Sequence, residues 1–257
     1  MANANPLKKV WEEGGTAFGL WAMMPGTFGA EILAGTNVEF VCVDQQHGVI
    51  GYEAIVPMFQ AITAGGATPI TRVLRNDASL IGKSLDAGAR GVIVPLVNDA
   101  DEAARAVAAC RYPPDGVRSY GPVRAAGVVG SNVPEDLDAD ALCFAMIETR
   151  EGLDRVDEIA ATPGLEGIYI GPSDLALSLG LAPTLEVNED AHAEAVNRIH
   201  EACRRNGIIA GIHCPDGAWA RKHADAGFDL ITVTMDAPVL ETAIRRGVDE
   251  ARGKDNV

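Results

Sequence analysis

The chain has 257 residues and carries 36 acidic against 21 basic side chains, for a net charge of −15. Such a length buries a full core, and acidity without a basic patch excludes a surface that tracks nucleic-acid phosphates. The opening MANANPLKKVWEEGG has no apolar signal core and no later run reaches the roughly 18 apolar residues of a membrane span, so a cytoplasmic protein with neither nucleic-acid nor membrane partners is expected.

Eight short apolar runs follow one another along the chain. They are AFGLW (17–21), FVCVD (40–44), TPITRV (68–73), GVIVP (91–95), LCFAMIE (142–148), GIYIG (167–171), IIAGI (208–212) and LITVT (230–234). Several are almost continuous in Val, Ile and Leu, the pattern of parallel strands covered on both faces. Between them lie segments with helical spacing and punctuation. Asn98-Asp99 precedes ADEAARAVAAC, Thr149 precedes REGLDRVDEIAA, and Asp190 precedes AHAEAVNRIHEACRRN, which closes on Gly207. Strand and helix alternate eight times, which predicts one α/β domain over 1–257, folded as a (β/α)8 TIM barrel. A doubly wound open sheet fits less well, because no GxGxxG follows the first strand. The longest irregular stretch, Arg111 to Asp140, should be a lid, an interface arm or part of the site. The five cysteines, Cys42, Cys110, Cys143, Cys203 and Cys214, form no CxxC pair and read as buried free thiols rather than disulfides or a zinc site.

In a barrel of this kind the chemistry sits at the C-terminal ends of the strands. The first strand ends at Trp21, the second at Asp44, Gln45, Gln46 and His47, and the third at Arg72. The fifth ends at Glu148, the sixth at Gly171-Pro172-Ser173-Asp174, the seventh at His213 and the eighth near Met235 and Asp236. Glu148 and Asp174, from adjacent strands, suit a hard divalent cation whose shell is completed by water or substrate oxygens. Mg²⁺ or Mn²⁺ fits best, with Co²⁺ or Zn²⁺ as alternatives if His47 or His213 joins the set. Arg72 offers a fixed positive fork for a developing enolate or a carboxylate. Histidine is the side chain whose unperturbed pKa lies close to neutral, so His47 is the first candidate to move a proton, with Asp44 beside it to orient the ring or raise its basicity. Backbone N–H groups of the Gly171–Asp174 turn, ahead of the LALSLG helix, can hold a carboxylate. Trp21 reads as core before substrate wall. Each residue alone is as readily structural; their convergence on one barrel mouth carries the functional reading.

These residues resemble those of the HpcH/HpaI family of class II pyruvate aldolases. The resemblance covers nearly the whole chain. It runs through GLW (19–21), AEILAG (30–35), VDQQHG (43–48), DAGARGVIVPLV (86–97), ADEAARAV (100–107), RYPPDGVRS (111–119), IETREG (147–152) and IGPSDL (170–175). It implies a barrel of the phosphoenolpyruvate/pyruvate-domain type whose eighth helix is exchanged with a partner subunit, and a homohexamer built as a trimer of dimers. It also implies reversible cleavage of a 4-hydroxy-2-oxo acid to pyruvate, or an analogue such as hydroxypyruvate, and an aldehyde. Glu148 and Asp174 match the metal ligands, Arg72 the enolate-stabilising arginine, His47 the base and Ser173 the amide that holds the pyruvate carboxylate. Asp86 matches an acid that raises the basicity of the histidine, although it falls at the end of a helix, which would require a contribution across a subunit interface. His213 and Met235 fall where relatives line the aldehyde pocket with apolar side chains.

Two departures stand out. Gln46 replaces a Glu common beside the histidine, and Met146 replaces a Gln that would hydrogen-bond pyruvate. A Schiff-base route is disfavoured, because none of Lys8, Lys9, Lys83, Lys222 and Lys254 falls at a strand end. The competing readings are an oxaloacetate decarboxylase, an acyl-CoA lyase using Arg118 and Arg124 at the rim, and a barrel that binds a 2-oxo acid without turnover.

Overall fold

A computed structural model describes residues 3–253; Lys254 and the other outermost residues of the expected 1–257 domain lie outside them. Eight parallel strands close into a barrel in sequence order. They are β1 (Ala17–Ala22), β2 (Phe40–Asp44), β3 (Thr68–Arg72), β4 (Gly91–Val94), β5 (Leu142–Ile147), β6 (Gly167–Ile170), β7 (Ile209–His213) and β8 (Leu230–Met235). Each expected run overlaps one of them.

The near-continuous hydrophobicity has a structural cause. In β2 every residue is buried, but Val41 and Val43 pack outward under the helices whereas Phe40 and Cys42 fill the barrel interior. Large rings enter that interior because neighbouring strands place glycine opposite them. A Cβ at Gly19, paired with Phe40, would lie 2.5 Å from its ring, and one at Gly211, paired with Tyr169, would lie 2.7 Å from that ring. The N-terminal mouth is plugged by the helix Pro6–Glu12. Asn5 accepts from the Leu7 N–H and donates to the carbonyls of Arg90 and Asp140, which seats Leu7 inside and Trp11 edge-on to Phe144. The cavity formed by the C-terminal strand ends opens at the opposite mouth.

Several local expectations are corrected. The 111–140 stretch holds two short helices, Ala125–Val129 and Pro134–Asp140, and is tied to the barrel's flank by the Arg90–Asp140 and Arg118–Asp86 ion pairs. REGLDRVDEIAA breaks at Arg155 into two helices, Arg150–Asp154 and Val156–Ala160, so that Leu153, Val156 and Ile159 all reach the core. Glu189 rather than Asp190 occupies the cap of the helix Asp190–Asn206, while Gly207 ends it in the left-handed region at φ 65°. Pro172 starts the helix Pro172–Ser178, so Ser173 and Asp174 lie within its first turn instead of ahead of it. The cysteines are all free and buried. Among the described residues no helix is long and apolar enough to cross a membrane. The last helix, Asp236–Ala251, buries none of its residues and leaves Val239, Leu240, Ile244 and Val248 exposed.

Candidate active site

At the open mouth lies a cavity of about 190 Å³, lined by residues from the ends of β1, β2, β3, β5, β6, β7 and β8. Its β2–β3 wall is built around Asp44, which stands opposite Arg72 in the strand register. The Asp44 carboxylate accepts from Arg72 Nε at 2.9 Å and Nη2 at 2.5 Å, and from Trp21 Nε1 at 3.1 Å. Backbone N–H groups of Gln46 and His47 complete its shell at 3.0 and 3.3 Å. Burial pushes the Asp44 carboxyl up, but the bonds and charge of Arg72 outweigh it and hold the acid below its ordinary range. Arg72 is raised in turn by Asp44 against the opposing effect of burial. Two guanidinium nitrogens are thus committed. The third, Nη1, meets only the Met146 sulfur at 3.9 Å among the described residues, beside the cavity that both side chains line.

Asp44 therefore orients Arg72 and does not grip the His47 ring, as the sequence suggested it would; its contact with His47 is to the backbone. The imidazole itself lines the cavity and is exposed. Gly48 allows this bend, since a Cβ there would lie 2.2 Å from the Asp44 carbonyl oxygen. Gln45 turns away and donates to Thr71 and Ser84, both at 2.9 Å.

The β5–β6 wall presents acids. Glu148 is 3 % exposed, and its Oε1 accepts from the Leu96 N–H at 2.9 Å. Leu96 makes that bond from the left-handed region, φ 56°, which a leucine seldom adopts and which no sequence signal announces. Burial first, with Asp174 and Asp44 adding and the Leu96 N–H and Arg72 opposing, pushes the Glu148 carboxyl up to about 7. Gly171 lets this acid lie against β6, because a Cβ there would come within 2.7 Å of Oε2. Asp174 projects from the first turn of Pro172–Ser178, whose Gly171 cap supplies no side-chain acceptor, so the Ser173 and Asp174 N–H groups keep no capping partner. Among the described residues no group of three or more His, Cys, Asp or Glu is poised as a metal site. A buried acid reluctant to ionise beside a second acid nevertheless fits a hard cation that keeps waters and recruits ligand oxygens, and fits zinc less well.

Trp21 is core and wall at once: fully buried, stacked on Tyr169 with centroids 5.6 Å apart, and yet lining the cavity. His213 meets it edge-on at 4.9 Å. Met146, Ser173, Gly171, Pro172 and Met235 also reach the cavity, joined by Met23 and Leu185, which carried no distinguishing sequence signal. Asp86 does not. It ends the helix Ala78–Asp86 and pairs with Arg118 at 2.7 Å, on the barrel's flank. Arg118 is itself buried under that pair and over the Tyr112 ring, so it offers no rim contact to a coenzyme phosphate. No residue of the 111–140 stretch lines the cavity.

The profile of the HpcH/HpaI aldolase/citrate lyase family matches residues 17–243. A hydroxypyruvate/pyruvate aldolase of Rhizorhabdus wittichii is 40 % identical over 248 residues, spanning 96 % of this chain and 99 % of that protein. A 4-hydroxy-2-oxo-heptane-1,7-dioate aldolase of Salmonella typhimurium is 32 % identical over 239 residues, or 92 % of this chain and 90 % of its own. The crystal structure of a family protein from Burkholderia cenocepacia J2315 superposes with a TM-score of 0.88 at 32 % identity, covering 97 % of this chain and all of that one. The chain belongs to the HpcH/HpaI aldolase/citrate lyase family and is a carbon–carbon lyase.

Proposed function

We propose that the protein is a class II aldolase that reversibly cleaves a 4-hydroxy-2-oxo acid into pyruvate or hydroxypyruvate and an aldehyde. The observation that carries this reading is Arg72 Nη1, which among the described residues meets only the Met146 sulfur, in a small cavity that Glu148 and Asp174 also line. The similarity to hydroxypyruvate/pyruvate aldolases supports the same choice of donor.

In cleavage, the N–H groups of Ser173 and Asp174 bind the substrate carboxylate, and Glu148 and Asp174 hold a divalent cation, with Mg²⁺ or Mn²⁺ best matched. When bound, that cation supplies Lewis-acid polarisation of the substrate's keto group. His47 takes the proton from the C4 hydroxyl oxygen, the C3–C4 bond breaks, and its electron pair moves toward the C2 oxygen. Arg72 Nη1 stabilises the charge that collects there, a role for which the Asp44 lock fixes it in advance. Trp21 and Met146 exclude water from this centre. In the synthetic direction His47 returns the proton to the new hydroxyl.

The exposed apolar stripe of the helix Asp236–Ala251 supports its exchange with a partner subunit and a hexameric assembly. Asp86 could then serve a neighbouring subunit's histidine. The test is an assay of 4-hydroxy-2-oxo acid cleavage by the purified protein, with its cation removed and restored, alongside His47→Gln. Cation-dependent release of pyruvate or hydroxypyruvate, lowered by about 10²–10⁴-fold in His47→Gln, is the expected result. No cleavage under any cation sinks the assignment.

A further inference from the structure

One polar side chain in the cavity has a buried ring nitrogen without a hydrogen-bond partner among the described residues, and no part in the steps above. His213, the last residue of β7, is more than nine-tenths buried and lines the cavity beside Trp21. Its Nε2 is buried without a hydrogen-bond partner among the described residues. The contrast with His200 is direct, for that ring packs on Phe228 at 4.3 Å and satisfies its Nε2 on the Gly227 carbonyl at 3.1 Å. A buried ring nitrogen left unbonded at a ligand cavity needs a partner from elsewhere. Burial first, and then Arg72, push the His213 imidazolium down to about 3, with Asp44 opposing, so the ring enters catalysis neutral. A neutral imidazole has one donor and one acceptor. That excludes ion pairing with a carboxylate and matches an alcohol, which gives and takes one hydrogen bond.

We propose that His213 reads a hydroxyl group on the substrate and thereby biases the site toward hydroxylated over deoxy substrates. The inference rests on the aldolase reading and assigns its selectivity to one residue. The hydroxyl has two sources, the C3 carbon of the 2-oxo acid or the carbon next to the aldehyde, and the imidazole, edge-on to Trp21, lines the cavity that both would enter.

The experiment measures kcat/KM for two matched pairs with the full-length, cation-loaded enzyme. One pair is hydroxypyruvate against pyruvate with a single aldehyde, and the other is glycolaldehyde against acetaldehyde with pyruvate as donor. His213→Phe keeps the ring and its contact with Trp21 but removes both nitrogens; His213→Gln restores a donor and an acceptor. The hydroxyl-to-deoxy ratio should fall about tenfold in His213→Phe in one pair, which identifies the source, and recover at least in part in His213→Gln. A ratio within about twofold of wild type in both pairs overturns the proposal, because a reading group must be worth more than that. Should His213→Phe turn over neither member, the ratio of dissociation constants for each pair, read by calorimetry in both variants, decides by the same criterion. Absence of turnover by the wild type would instead strike the aldolase reading, so the two failures are distinguishable.

Discussion

On the β2–β3 side of the cavity a buried acid and a buried base neutralise each other. Asp44 is fully enclosed, and its carboxylate is spent on Arg72, Trp21 and two backbone N–H groups. On the β5–β6 side Glu148 is almost as buried, yet it faces another acid and, among the described residues, keeps only the Leu96 N–H as a fixed bond. The first corner is finished by the protein alone; in the proposed function a cation completes the second. The difference teaches that one barrel rim carries a locked guanidinium and a strained acid pair around the same cavity.

Breaking the finished corner has the largest expected effect. Arg72→Ala removes the charge that stabilises the developing oxyanion and strands Asp44 as an unpaired buried acid. Turnover should fall at least 10²–10³-fold and stability by about 3–5 kcal/mol, read by steady-state kinetics and urea melts. Arg72→Lys separates the two losses, since one ammonium can neutralise Asp44 but cannot also offer a second fixed donor. It should retain most of the stability while losing most of the turnover.

The unfinished corner makes a pH prediction of definite sign. Glu148 holds its proton to about pH 7 in the folded protein, against 4.5 as its ordinary value. Between those values the folded state binds more protons than the unfolded chain. The stability of the cation-free protein should therefore fall as pH rises through this window, by about 3 kcal/mol from this residue. Glu148→Gln should flatten that segment of the stability profile, and saturating Mg²⁺ or Mn²⁺ should reverse it in the wild type. An unchanged slope in Glu148→Gln would mean that the acid is not under the stress described.

A smaller effect is expected from Gly171→Ala, whose Cβ would sit 2.7 Å from Glu148 Oε2 and 3.1 Å from its Cβ. The carboxylate must shift, and cation affinity should drop about tenfold, as measured by calorimetry, with the fold retained. Affinity equal to wild type would place the cation somewhere other than on Glu148.

Particular residues show why some of this was legible in the sequence and some was not. The strands were readable because a parallel strand buried on both faces must be apolar nearly throughout, as β5 is and as β2 is up to Asp44. The site residues were readable because Asp44, Arg72 and Glu148 interrupt that apolarity where the strands end. Which partner Asp44 would choose was not readable. His47 is three positions away and Arg72 twenty-eight, and only the register of β2 on β3 brings the guanidinium closer than the imidazole. The Leu96 amide was equally hidden, because its role depends on a left-handed backbone at an unremarkable side chain. Asp86 was flagged from resemblance and lies with Arg118 on the flank of this barrel, so any catalytic part for it depends on assembly.

The most direct measurement is proton NMR of pyruvate in D₂O with the purified protein, before and after EDTA and again with Mg²⁺ or Mn²⁺ restored. If Arg72 and the carboxylate pair stabilise the enolate, the methyl signal disappears with cation present, persists after chelation, and disappears again on restoration. Binding of pyruvate without exchange under either cation would contradict that claim and leave a barrel that holds a 2-oxo acid without activating it.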